Sequence, residues 1–397
     1  IETYGCSANV SDYEIMAGLL VKGGHEIVSA EDAADAVVVN TCTVKGPTEA
    51  KIRSRIKRLQ GNGKRLIVAG CMAEAQTATV QQLAPAAAIV GTHKINEIVW
   101  AVEGKQKVAV GASLVDKPSL PKVSMNETIC IVQINEGCLG SCTFCITKFA
   151  RGNTVSYPIG TIRNSVEEAV RNGSREIWLT SQDTGTYGLD RRTNLPELLQ
   201  QLSSIEGEFF IRVGMMNPTL ASRLLQPLID AYKIEKVFKF LHIPLQAGSN
   251  DVLAAMRRGY NVETFRRIVG EFRRQIPKIT IATDIICGFP TETEGDFSQT
   301  IAVLEDIKPD IINISRFWPR PGTAAAAMKP LHDSVVMERS RKLHGIARQI
   351  SLERNREWLG WSGKAVVDEK GKVPGTFVGR NFAYKSIVFH GKEGSLF

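Results

Sequence analysis

The sequence predicts an α/β protein in three consecutive parts: a small doubly wound α/β domain, an open (β/α)6 barrel and a short β-rich tail. Three observations carry this. Short apolar runs alternate with amphipathic stretches over two separate spans, the pattern of parallel strands joined by helices. Six of the eight cysteines fall just after such runs. The final stretch drops the helical period and mixes Lys and Arg with aromatic residues.

At 397 residues the chain is long enough for two or three domains, each with its own core. No apolar run approaches a membrane span, and no signal peptide is visible. Eight cysteines without a secretory segment point to metal binding in a reducing compartment, hence a cytoplasmic protein. The chain opens on Ile1-Glu2-Thr3, inside an expected strand, so a few residues are expected to be missing there. A formal charge of +8 suits a polyanionic partner.

In the first part, residues 1–112, Val37 to Asn40 and Leu66 to Ala69 read as buried parallel strands. Ser11 to Lys22, with Ser11 as N-cap, and Thr48 to Gln60 read as helices. Cys6, Cys42 and Cys71 each follow a strand, so they gather at the carboxyl edge of the sheet, where such folds bind ligands. One such cysteine is explained as a small buried hydrophobe; three at equivalent strand ends are better explained as a cluster site. Cys130 and Cys287 lie inside apolar runs and read as core.

A proline-bearing linker, 113–127, leads to a strand over Thr128 to Ile134. Through residue 332 further strands are expected at 176–179, 209–213, 238–243, 279–285 and 311–315. Helices are expected at 159–172, 195–204, 262–275 and 294–307. Six strands in this order suit an open barrel with its site at the strands' carboxyl ends. A charged helix, 333–358, and the tail, 359–397, complete the chain. The tail's Lys364, Lys372, Arg380, Tyr384, Lys385 and Phe389 suit a small RNA-binding barrel. The loop Arg316 to Thr323, basic and aromatic, either contacts nucleic acid or closes the barrel.

The first barrel strand delivers Cys138-Leu139-Gly140-Ser141-Cys142-Thr143-Phe144-Cys145. Three thiolates on a [4Fe–4S] cluster leave one iron open for a substrate. Zinc normally takes four protein ligands in closed sites, and no fourth lies nearby; three close thiols cannot all pair as disulfides. The spacing and Phe144 are similar to the signature of the radical S-adenosylmethionine (SAM) superfamily. The polar, glycine-rich loops after later strands offer Gln182, Asp183, Gln246, Ser249, Gly288 and Pro290 as SAM-binding candidates. Loops of this kind are polar and turn-rich everywhere, and only their clustering on the cysteine-bearing face promotes these.

Two three-cysteine sets in this order resemble the radical SAM methylthiotransferases over nearly the whole chain, with a tail like a truncated TRAM domain. Lys148 to Asn153, Ser156 to Ile159 and Leu179 to Gly188 look most like the archaeal and eukaryotic branch acting on N6-threonylcarbamoyladenosine (t6A) in tRNA. Ser181 to Thr184 is shared with the branch acting on an aspartate of a ribosomal protein, and a third branch acts on isopentenyladenosine in tRNA. The resemblance implies a radical-generating cluster on Cys138, Cys142 and Cys145, a sulfur-carrying cluster on Cys6, Cys42 and Cys71, and two SAM molecules. It also implies an ANN-decoding tRNA presenting its anticodon loop, an electron donor such as ferredoxin or flavodoxin, and a sulfur source. The threonyl carboxylate of t6A calls for a cation, for which Arg151 and Arg320 are candidates; their alternative role is as salt-bridge partners holding loops. The rival readings are a radical SAM enzyme that inserts no sulfur and a non-enzymatic iron–sulfur carrier or RNA-binding scaffold.

Overall fold

The computed structural model describes residues 1–113 and 115–391. Residue 114 of the expected linker and residues 392–397 of the expected tail lie outside the described part.

The first sheet is parallel throughout, in the order β1 (Glu2–Thr3), β2 (Ala36–Thr41), β3 (Arg65–Gly70), β4 (Ala88–Val90), β5 (Val108–Ala109). Between the strands run α1 (Ser7–Lys22), α2 (Gly46–Leu59), α3 (Cys71–Ala75), α4 (Thr77–Leu83) and α5 (Ile98–Glu103). Alternation along a strand divides the run Val37-Val38-Val39 between two cores. Val37 and Val39 pack with Ile52 and Ile56 of α2, while Val38 packs with Ile15 and Met16 of α1 and Ile98 of α5. Helices therefore cover both faces.

The expected N-cap at Ser11 is replaced by Cys6: α1 starts a turn earlier, at Ser7. Ser11 is buried and donates to the Ile131 carbonyl at 3.4 Å. Gln133 Nε2 donates back to the Ala8 carbonyl at 3.4 Å, so α1 lies along the first barrel strand and covers its free edge.

That strand is β6 (Ile129–Gln133). A short hairpin follows, from β7 (Asn135–Glu136) and β8 (Val155–Ser156), with α6 (Thr147–Arg151) between them. Then come α7 (Ile159–Arg171), β9 (Glu176–Thr180), α8 (Leu195–Ser203), β10 (Phe210–Val213), α9 (Pro218–Arg223) and α10 (Leu225–Lys233). The barrel continues through β11 (Phe240–His242), α11 (Asn250–Ala255), α12 (Val262–Gln275), β12 (Thr280–Cys287), α13 (Glu294–Ile307) and β13 (Ile311–Arg316). The strands β6, β9 and β10 pair in parallel, as do β11, β12 and β13, and a parallel bridge from Ile211 to Val237 joins the two groups. The result is the open six-stranded barrel that the alternation predicts, with all strands pointing their carboxyl ends at one mouth.

The long helix α14 (Asp333–Arg356) leads to an antiparallel sheet of β14 (Val366–Lys370), β15 (Thr376–Arg380) and β16 (Ser386–His390). This sheet plugs the barrel at the end opposite the mouth. Tyr384 packs with Phe238 and Phe240, and the Arg212 guanidinium lies 4.8 Å from the Trp178 ring and 5.3 Å from that of Tyr384. Several residues that suggest an RNA-binding tail are thus used internally. Tyr384 is the plug, Arg380 pairs with Asp368 at 2.9 Å, and Lys385 pairs with Asp310 at 2.9 Å. Lys364 and Lys372 remain exposed.

Beside the plug, Glu176 is buried, with only Trp178 Nε1 donating to it, at 2.9 Å. Burial pushes its carboxyl up to about 7, against an unfolded value of about 4.3. A raised carboxyl favours the fold below the unfolded value and loses that contribution as pH rises through 7. Glu176→Gln should therefore be near neutral for stability at about pH 4 and increasingly stabilising toward pH 8. Denaturant melts across pH check this; a benefit that shrinks with pH would contradict the buried-carboxyl account.

Candidate active site

The cysteine loop sits between β7 and α6 at the barrel mouth. Gly137 enters it at φ +82°, and a Cβ there would fall 2.0 Å from the Asn153 carbonyl oxygen, so only glycine fits. Gln182 Oε1 accepts from the Gly137 amide at 2.7 Å, and Thr143 is held by the Met256 and Ala255 carbonyls. The Cys138 and Cys142 sulfurs lie 3.4 and 3.6 Å from one common point above Gly140. The Gly140 amide donates to Cys138 at 3.2 Å, and Arg258 Nη1 donates to Cys142 at 2.9 Å. Burial pushes the Cys138 thiol up to about 11, and the charges of Asp183, Cys142 and Cys145 add to this. Such thiols ionise when a metal takes the proton's place.

Among the described residues, no three His, Cys, Asp or Glu side chains crowd onto one point as a single ion requires. Thiolates of a four-iron cluster each hold a different iron, and Cys138, Cys142 and Cys145 are all free to serve.

Of the residues proposed for SAM, Gln246 keeps the clearest vacancy for a ligand. It sits at φ +68°, an unfavourable conformation for a side-chain-bearing residue, and its Oε1 is buried with no partner. Asp183 uses Oδ1 to accept from the Gly185 and Asn217 amides at 3.1 and 3.0 Å, while burial pushes its carboxyl up to about 6. Gln182 serves the cysteine loop. Ser249 caps α11 and donates to Asp296. Gly288 donates to Glu292 at 2.8 Å, and a Cβ there would strike Val336 of α14, which explains the glycine without a ligand. Pro290 is half-buried beside it.

The other triad converges on Asn9. Its Nδ2 donates to the Tyr4 and Thr41 carbonyls at 2.9 and 2.8 Å, which fixes the amide. Its Oδ1 lies 3.5 Å from the Cys71 sulfur and 3.9 Å from that of Cys6. A Cβ on Gly5 would come within 3.0 Å of Cys42 Cβ, bringing the third cysteine to the same place. Burial pushes the Cys71 thiol up to about 12, with the nearby Arg151 guanidinium opposing.

The segments that carry the two triads touch. Ser7 and Thr180 share a hydrogen bond of 2.7 Å between the N-terminal domain and the barrel mouth, and α3 packs against α6. Beneath them lies a buried knot of four charges. Arg151 reaches Asp12 at 2.7 Å and Glu136 at 2.6 Å; Lys117 reaches the same carboxylates at 2.9 and 2.8 Å. Arg151 also donates to Asn9 Oδ1 at 3.0 Å.

This corrects the assignment of Arg151 to a substrate carboxylate, because the guanidinium is 1% exposed and fully engaged. Arg320 is corrected too: it is buried against Glu49 and donates to Thr43 Oγ1 at 2.9 Å, although its Nε has no partner. Its loop therefore clasps the N-terminal domain. Sequence reasoning also passes over Arg258, Lys117 and a cluster inside the barrel, where Asp284 accepts from His242 at 3.0 Å and Asn313 at 2.9 Å. Nothing local marks these residues, since each acts on a partner distant in the chain.

This arrangement is that of a radical SAM enzyme with a cysteine-bearing domain laid over the barrel mouth. Residues 132–304 match the Radical SAM superfamily, and residues 1–91 match "Uncharacterized protein family UPF0004". By fold the chain is similar to the radical SAM methyltransferase TsrM of Kitasatospora setae, solved with cobalamin and a [4Fe-4S] cluster. The TM-score is 0.58 at 12% identity, over 80% of this chain and 70% of that one. A probable threonylcarbamoyladenosine tRNA methylthiotransferase of Pyrococcus horikoshii is 45% identical over 99% of this chain and 94% of its own length. The Homo sapiens threonylcarbamoyladenosine tRNA methylthiotransferase is 38% identical over 98% of this chain and 68% of its length. The chain belongs to the radical SAM tRNA methylthiotransferase family and is a transferase.

Arg151→Met should cost about 3–5 kcal/mol, because it leaves Asp12 and Glu136 buried with one cation between them. Thermal melts of the protein check this. A loss under about 1 kcal/mol would mean that the knot contributes little to holding the domains.

Proposed function

We propose that this protein converts t6A at position 37 of tRNA to 2-methylthio-t6A, with residues 1–112 handling sulfur and residues 128–332 generating the radical. The observation that supports this is the Ser7–Thr180 hydrogen bond, which ties the residue after Cys6 to the carboxyl end of β9 at the barrel mouth, with α3, which starts at Cys71, packed on α6, which follows the cysteine loop. Two clusters, each with an open iron, would suit a reaction that must both break an unreactive C–H bond and deliver sulfur to it. The names of the archaeal and animal relatives support t6A as the substrate.

When bound, two [4Fe–4S] clusters and two SAM molecules would supply the 5′-deoxyadenosyl radical, the sulfur and its methyl group. An aromatic C2–H is not acidic enough for any side-chain base, so the protein's share is positioning. Cys138, Cys142 and Cys145 would hold the radical cluster, and Cys6, Cys42 and Cys71 the auxiliary one. The Arg258 and Gly140 donors orient two sulfurs of the first set, and the Asn9 side chain stands beside the Cys71 and Cys6 sulfurs of the second. Gln246, with its buried unpartnered oxygen, fits a donor of SAM. C2 of adenine is shielded in a duplex, so the target base must be unpaired and inserted over the mouth. An external reductant of the ferredoxin or flavodoxin type and a sulfur source complete the requirements.

Anaerobically reconstituted protein should hold about eight irons, and replacing either cysteine triad by Ala should remove about half. Loss of Cys6, Cys42 and Cys71 should spare SAM cleavage yet abolish sulfur transfer. With SAM, reductant and tRNA, mass analysis of nucleosides should show t6A gaining a methylthio group while isopentenyladenosine stays unchanged. Conversion of isopentenyladenosine alone, or of a ribosomal-protein aspartate, would overturn the substrate assignment.

A further inference from the structure

The barrel mouth carries two aromatic rings that the fold leaves largely uncovered. Among the described residues, three aromatic side chains are more than half exposed: Trp100 (56%), Phe149 (54%) and Trp318 (52%). Trp100 lies on α5 of the N-terminal domain. Trp318 lies in the loop 317–323, and Phe149 of α6 packs at its other end, by Gly322.

Trp318 rests on Gly46, four residues past Cys42, where a Cβ would come within 2.4 Å of the ring. One ring face is therefore seated on backbone, and about half the side chain stays open to solvent. Phe149 is four residues past Cys145, and its ring edge lies 3.9 Å from a Cβ position on Gly322, at the other end of the loop. Val44 and Leu139, 48% and 54% exposed, extend the apolar surface next to each cysteine set.

The charge around the rings is positive. Lys45 is exposed, and Lys148 donates to the Cys138 carbonyl at 2.9 Å. The nearby carboxylate of Glu49 is already neutralised by Arg320. Flat apolar faces among cations match single-stranded nucleic acid, whose bases stack while its phosphates take the charge. Drawing a target base out of its loop also leaves its neighbours unstacked, and exposed rings at the mouth replace that lost stacking.

We propose that Phe149 and Trp318 are stacking platforms for the unpaired nucleotides on either side of the target base. This rests on the reading of tRNA as substrate, and it adds an RNA-contacting surface at the barrel mouth.

The test uses the reconstituted full chain and a fluorescent anticodon stem-loop carrying t6A, with anisotropy read across a salt series. Phe149→Ala and Trp318→Ala should each weaken binding about tenfold without changing the salt slope, because stacking releases no counterions. Trp318→Leu, which still covers Gly46, should bind as weakly as the Ala variant, whereas Trp318→Phe should bind close to wild type. Lys45→Ala should instead flatten the slope by about one phosphate contact. Iron content and RNA-free SAM cleavage should match wild type in the Trp318→Leu variant, which separates a lost platform from a lost fold. Unchanged RNA affinity in both Phe149→Ala and Trp318→Leu would overturn the proposal. The same result with turnover lost only when a protein electron donor replaces dithionite would assign the rings to a protein partner instead. Failure of the wild-type protein to bind any such stem-loop would strike the substrate reading itself.

Discussion

The buried knot of Asp12, Glu136, Lys117 and Arg151 is the interaction on which the rest of the site depends. Its four residues come from α1, β7, the linker and α6, so closing it fixes the N-terminal domain over the barrel. Taking four charges out of water is costly, and their mutual attraction roughly offsets that cost only with good geometry and further hydrogen bonds. Gln133, 2.8 Å from Asp12, and Tyr157, 3.3 Å from Glu136, supply such bonds. An apolar contact of equal area would hold the domains as firmly but would tolerate sliding. Charges paired two by two set a register, and here that register is the relation between two cysteine triads.

Asn9 is the point where the knot meets the chemistry. Its carbonyl oxygen accepts from Arg151 at 3.0 Å and stands beside the sulfurs of Cys6 and Cys71. Arg151 of the barrel domain thus reaches into the N-terminal domain through one side-chain amide. On the far side of the barrel, Tyr384 and Arg212 close the channel with a stack of aromatic and cationic groups.

Much of this was legible in the sequence, because its signals are local. Short continuous apolar runs located β2, β3 and the barrel strands, and the motif of the cysteine loop is local to the end of the first barrel strand. The short β4 and β5 and the hairpin of β7 and β8 carry too few residues for a period to show. Arg151 and Arg320 stand out as cations beside motifs, but their partners Asp12 and Glu49 lie far away in the chain, so their burial is invisible locally. Lys117 looks like an ordinary linker lysine for the same reason. Arg380 and Lys385 suggested RNA contacts, yet Asp368 and Asp310 already hold them. In each case tertiary pairing consumed a charge that composition alone left free.

The central claim is that the fold holds two cluster sites facing one gap, and spin coupling between the clusters tests it most directly. Reconstituted protein with both clusters reduced should give an EPR signal broadened by magnetic interaction between them. Variants lacking Cys6, Cys42 and Cys71, or lacking Cys138, Cys142 and Cys145, should each give a narrow, isolated signal. A wild-type spectrum equal to the plain sum of those two isolated signals would contradict the account.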